Sequence, residues 1–152
     1  MPELVAGVDV KAPPEVVFAA ATDWGRHREW MLGTSVAPVS RDGTGVGAAL
    51  TARTGLGPVG FLDTMEIIDW APPRRCVVRH TGRVVRGEGA FEVEPLLDGG
   101  SRFVWSEWLL LPFGLAGELG FVALRWVARA GLRHSLASFA RWVEAGQDYP
   151  YP

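Results

Sequence analysis

One cysteine, Cys76, stands among 152 residues, so no intrachain disulfide can form and no cysteine-based zinc cluster can be built. A lone thiol suits a reducing cytoplasm, the expected compartment. Excess positive charge is also missing: 15 Lys and Arg against 17 Asp and Glu leave a formal charge of -2. Nucleic acid, which recruits strongly basic surfaces, is therefore not an expected partner. The chain opens Met1-Pro2-Glu3-Leu4 with no positive patch ahead of an apolar segment, so no secretory signal is expected. Leu109 to Leu124 comes nearest to a membrane span, but it falls short of about 20 residues and is broken by Pro112 and Glu118. Repeats and low-complexity linkers are absent. That leaves one domain, residues 1–146, and a flexible tail, residues 147–152.

Motifs that carry chemistry are scarce. Gly43-Thr44-Gly45-Val46-Gly47 has the glycine density of a phosphate loop, yet it leads into a strand and lacks the helix whose N-terminus would hold the anion. It reads as a hairpin turn. Ser106 and Ser135-Leu136-Ala137-Ser138 sit in no nucleophile-elbow context, so no hydrolase triad is expected. No cofactor is expected.

What the chain does have is apolar side chains, 48% of the total, with seven Trp. Such rings fill cores and line ligand cavities alike. Near the C-terminus Leu115, Leu119, Val122 and Trp126 recur at helical spacing, and Leu132, Leu136, Phe139 and Val143 continue the pattern. The spacing predicts one long helix within Pro112 to Ala145, stopped by Gly146. Gly114, Gly117, Gly120 and Gly131 point to a bend or a short separate first piece. Ahead of it lie β-like runs over Leu4 to Val10, Ser35 to Val39, Ala48 to Thr54, Val59 to Trp70, Arg75 to His80, Val84 to Glu94 and Arg102 to Leu111. Turn residues punctuate them. Two short helices follow the first strand, one opened by Pro14 and Glu15, the second capped by Thr22 or Asp23 and carrying Trp24, His27 and Trp30.

The order strand, two helices, six strands, long helix resembles the helix-grip α+β fold of the START-like (SRPBCC) superfamily. The opening Val8-Asp9-Val10-Lys11-Ala12-Pro13-Pro14-Glu15-Val16-Val17-Phe18, the Asp23-Trp24 to Trp30 segment, Pro72-Pro73-Arg74-Arg75, and Gly99-Gly100-Ser101-Arg102-Phe103-Val104-Trp105 are similar to its polyketide cyclase/dehydrase-like branch. The resemblance implies a curved antiparallel sheet wrapped round the C-terminal helix with a cavity between them. The superfamily includes lipid carriers and cyclases, so fold alone does not choose the function.

Strand alternation predicts which side chains face that cavity. Phe103, Trp105, Glu107, Leu109 and Leu111 share one face of the last strand; Phe61, Asp63, Met65 and Ile67 share another; Cys76, Val78 and His80 a third, with Arg79 outward. A bulge in a curved sheet would swap these faces. The expected ligand wall is Trp30, Phe61, Asp63, Met65, Val78, Phe91, Phe103 and Trp105, with Val122 and Trp126 from the long helix and Trp30 near the mouth. Burial would raise the Glu107 pKa and suit it to a general acid, and His80 could be the matching base near neutral pH. Alternatively, Glu107 closes an ion pair and His80 is a satisfied core histidine. His plus two carboxylates could hold a metal, but their spacing does not support one, and no metal site is expected.

The expected function is binding of a hydrophobic small molecule: a lipid, an isoprenoid or quinone-like compound, or an aromatic polyketide. The alternatives are a cyclase/dehydrase-like enzyme and a membrane-surface adaptor. The last is suggested by Arg125, Arg129 and Arg133 at every fourth position, with no acid between Glu118 and Glu144. Oligomeric state is not legible in the sequence.

Overall fold

A computed structural model of the chain describes residues 3–83, 85–110 and 114–146. Seven strands run β1 (Glu3–Val10), β2 (Thr34–Pro38), β3 (Ala49–Leu56), β4 (Val59–Ala71), β5 (Arg75–Thr81), β6 (Arg86–Pro95) and β7 (Ser101–Leu110). They form one curled antiparallel sheet in the order β1-β7-β6-β5-β4-β3-β2. From β3 to β7 each strand pairs with its predecessor, as short turns dictate. Between β1 and β2, helix α1 (Pro14–Ala21) and a 3-10 helix (Trp24–Glu29) carry the chain to the opposite edge. Helix α2 (Gly114–Glu144) completes the helix-grip α+β fold.

The short helices depart from expectation in one respect. Pro14 occupies the first turn of α1 and Asp23 the N-cap position of the second helix, as expected, but no side-chain capping bond forms there. The Thr22 hydroxyl instead donates back to the Phe18 carbonyl. The segment tightens to 3-10 geometry, and Trp24, His27 and Trp30 come together, with ring centroids 5.0 Å and 4.9 Å apart.

The core is aromatic. Phe139 of α2 lies 4.7 Å from Phe103 and 4.9 Å from Trp30, centroid to centroid, and Leu136 and Val143 are buried on the same helix face. Trp30 and Phe103 belong to this packed interior.

Helix α2 corrects two expectations. It is continuous over 31 residues, about 46 Å, with its glycines inside it rather than at a break between two pieces. Only its second half buries a face. Leu136, Phe139 and Val143 are buried, whereas Leu119, Val122, Leu124, Trp126 and Val127 are exposed, Trp126 at 71%. Every residue from Val122 to Val127 is exposed, a run longer than one helical turn, so this half of the helix packs no face against the sheet. Among the described residues, no helix is long and apolar enough to cross a membrane. The expected tail, 147–152, lies outside the described residues, as do Leu111 and the start of the expected sixth run at Val84.

Candidate functional site

An open cavity of about 270 Å³, just under the usual range for small-molecule sites, lies between the concave sheet face and the short helices; among the described residues α2 contributes none of its wall, which corrects the expectation of a space between the sheet and the long helix. Its walls come from β2 to β7 and from Trp24, His27 and Met31. Of the expected wall residues, Phe61, Asp63, Met65, Val78, Phe91 and Trp105 line it, as do His80 and Glu107. Trp30 and Phe103 do not: both are buried behind the wall, Trp30 within the aromatic core rather than at a mouth. Val122 and Trp126 do not either: both lie exposed on the first half of α2.

The strand faces fall as alternation requires. Met65 pairs with His80 and Ile67 with Val78, and the register shifts only between Ile67 and Asp69. The bulge therefore spares Asp63 and acts beyond it, bringing Trp70 inward against Phe18 at 5.3 Å. Arg79 is exposed, as expected.

Three ionisable side chains from three strands meet at this wall. His80 Nδ1 lies 2.8 Å from Asp63 Oδ2, and His80 Nε2 lies 3.0 Å from Glu107 Oε2. Trp105 Nε1 donates to the other Glu107 oxygen at 2.9 Å. Strand β6 lies between β5 and β7, so the His80–Glu107 contact has to pass over it. Glycine makes that possible. Gly89 pairs with Glu107 and Gly87 with His80, and a Cβ at Gly89 would sit 2.9 Å from Glu107 Oε2. A side chain there would displace the carboxylate.

Burial would pull the His80 pKa down, but hydrogen bonds and charge from Asp63 and Glu107 outweigh it and push the value up to about 10. His80 is thus an imidazolium at neutral pH, donating from both ring nitrogens. In that form the ring has no free lone pair to accept a proton or bind a metal. Among the described residues, no group of three or more His, Cys, Asp or Glu side chains is arranged to hold a metal ion.

Sequence reasoning places His27 only on a helix, yet it lines the cavity. Its Nε2 donates to the Ala21 carbonyl at 2.7 Å, and burial drives its pKa down to about 4, so it stays neutral. A signal existed: Trp24-x-x-His27-x-x-Trp30 places an imidazole between two indoles at one helical spacing.

The fold has counterparts among known proteins. A family model described as polyketide cyclase/dehydrase and lipid transport matches residues 1–144. The chain belongs to that family. Among solved structures, a Thermus thermophilus protein superposes with a TM-score of 0.79 at 20% identity, over 96% of this chain and 99% of that one. A polyketide-cyclase-like protein from Corynebacterium glutamicum gives 0.65 at 23% identity, over 95% and 94%. The di-domain ARO/CYC BexL of the BE-7585A biosynthetic pathway gives 0.71 at 18% identity, over 95% of this chain and 47% of BexL. At such identities these likenesses establish the helix-grip fold that the family shares. No curated protein matches the chain.

Proposed function

We propose that this member of the family binds a hydrophobic small molecule, in the size range of an isoprenoid or aromatic polyketide ring system, inside the sheet cavity. The observation that carries the reading is the wall itself: Trp24, Phe61, Met65, Phe91 and Trp105 surround a space interrupted by one buried ionic cluster, Asp63–His80–Glu107. Apolar contact supplies affinity at about 25 cal/mol per Å² removed from water, and the cluster orients the ligand. Native mass spectrometry of the purified protein, followed by organic extraction, tests the reading. A retained apolar compound is expected; failure to retain or take up any apolar compound contradicts it.

Binding is favoured over acid–base turnover because His80 is clamped between two carboxylates and cannot cycle freely. Glu107→Gln is therefore expected to leave ligand affinity within a few-fold. Loss of a measurable cyclisation or dehydration by that variant, with binding intact, would instead favour a cyclase/dehydrase-like enzyme.

Contact with an anionic membrane surface is a second part of the proposal, supported by the outward face of α2. Leu119, Val122, Trp126 and Val127 are exposed at helical spacing, and Arg125 and Arg133 are exposed beside them, with Arg129 half-buried between. A second copy docked on the same face would bring arginine rows near one another with no acid between Glu118 and Glu144 to pair them. Anionic lipid answers that charge at about 1 kcal/mol per arginine. Co-flotation with phosphatidylglycerol vesicles, lost on pure phosphatidylcholine and weakened in Arg125→Glu/Arg133→Glu, is expected; equal flotation on both lipids contradicts it.

A further inference from the structure

The hydrogen-bonding groups of the cavity wall are almost all spent on the donor side. Trp24 Nε1–H goes to the Gly43 carbonyl, Trp105 Nε1–H to Glu107, and His27 Nε2–H to the Ala21 carbonyl. Both N–H groups of His80 go to carboxylates. The Thr34 hydroxyl is placed to donate to the Leu32 carbonyl, which leaves the Thr54 hydroxyl to donate to Thr34. Cys76 adds only a thiol, a weak donor.

Acceptors are in surplus. Asp63 Oδ1 is buried without a partner, on a carboxylate whose Oδ2 already receives His80. His27 Nδ1 is also buried and unpartnered, and with Nε2 donating it is the lone-pair nitrogen. Asp63 is 8% exposed and His27 1%. A buried acceptor left open costs free energy until something donates to it. The ionic cluster reinforces the bias, because one imidazolium between two carboxylates leaves a net negative charge.

We propose that the ligand carries a hydrogen-bond donor, a hydroxyl or protonated amine on an apolar ring or chain, and that this donor binds Asp63 Oδ1. Ligands whose only polar atoms are carbonyl, ether or carboxylate oxygens would place acceptor against acceptor and are rejected. This deepens the apolar-cavity reading and rests on it.

The test uses four probes of one ring system, 1-naphthol, 1-naphthylmethylamine, 1-methoxynaphthalene and 1-naphthoate, titrated calorimetrically into the full chain and into Asp63→Asn. A merely apolar cavity favours methoxynaphthalene, which is the least costly of the four to remove from water. The structure assigns the opposite order: naphthol and the amine bind at least ten-fold tighter than methoxynaphthalene, and naphthoate binds weakest. In Asp63→Asn the side-chain oxygen can keep the bond from His80 Nδ1 and turn its NH₂ to the position of Oδ1. The preference should then reverse in favour of methoxynaphthalene. Wild-type affinity for methoxynaphthalene equal to or above that for naphthol overturns the donor rule while leaving the apolar cavity standing. A naphthol preference that survives in Asp63→Asn overturns the assignment to Oδ1. Absence of binding by all four removes the cavity reading and this inference with it.

Discussion

Replacing His80 with Gln should change how stability depends on pH more distinctively than it changes stability at any one pH. The folded-state pKa of His80 is raised to about 10 from an ordinary value near 6.5. Its contribution is therefore complete below pH 6.5 and is lost as pH rises toward 10. Between those limits the native state holds a proton that the unfolded chain has released, so unfolding free energy falls by about 1.4 kcal/mol per pH unit. Its side chain is only 5% exposed, so solvent screening takes little from that figure. From pH 7 to pH 8.5 the loss comes to about 2 kcal/mol. Cys76, pushed up to about 12 by burial and by the charge of Asp69, adds a loss of the same sign above pH 9, which is why the window stops short of it. Urea unfolding at both pH values reads the slope directly. In His80→Gln the slope should be nearly flat, and the variant should be less stable at pH 7 because two carboxylates lose their cation, by about 3 kcal/mol or more. A wild-type protein equally stable at both pH values, or a variant with the wild-type slope, would refute the imidazolium clamp.

Other outcomes follow from the same packing. His27, held neutral with its pKa near 4, supports stability above pH 6.5 and loses that support as pH falls toward 4, so wild type should lose about 3 kcal/mol more than His27→Gln across that acid window in urea titrations. Gly89→Ala should cost about 1–3 kcal/mol and lower the His80 pKa seen by NMR, because the new methyl sits where the Glu107 carboxylate lies; an unshifted His80 would show that the carboxylate is not held there. Phe139→Ala, at a fully buried site against Phe103 and Trp30, should cost about 3–5 kcal/mol, and a cost below about 1 kcal/mol would mean the ring lattice is not the core.

The sheet was more legible than the helix, for a physical reason. A strand has only two faces, so Asp63, His80 and Glu107 could be assigned inward from alternation alone, and the bulge that could have swapped them fell beyond Ile67. A helix has a continuum of faces. Apolar residues at helical spacing marked α2, but only its second half meets the sheet, with Val122 to Val127 exposed on every side, and that requires the sheet's position. Alternation also cannot separate wall from core, so it could not show that Phe103 lies behind the cavity rather than in it. The Gly87–Gly89 gap was present in the sequence as Arg86-Gly87-Glu88-Gly89, but its meaning needs the strand order that sets β6 between His80 and Glu107. His80 looked like a base because an unperturbed imidazole titrates near neutral pH. Two carboxylates make it a clamp.

The central claim, an apolar ligand held within the sheet, is tested most directly by NMR titration of the indole N–H resonances with 1-naphthol. Trp24 and Trp105 line the cavity, whereas Trp126 stands exposed on α2. The Trp24 and Trp105 signals should move in saturable fashion while that of Trp126 stays in place. Movement of Trp126 with Trp24 and Trp105 unchanged would put the ligand on the helix surface and contradict the cavity.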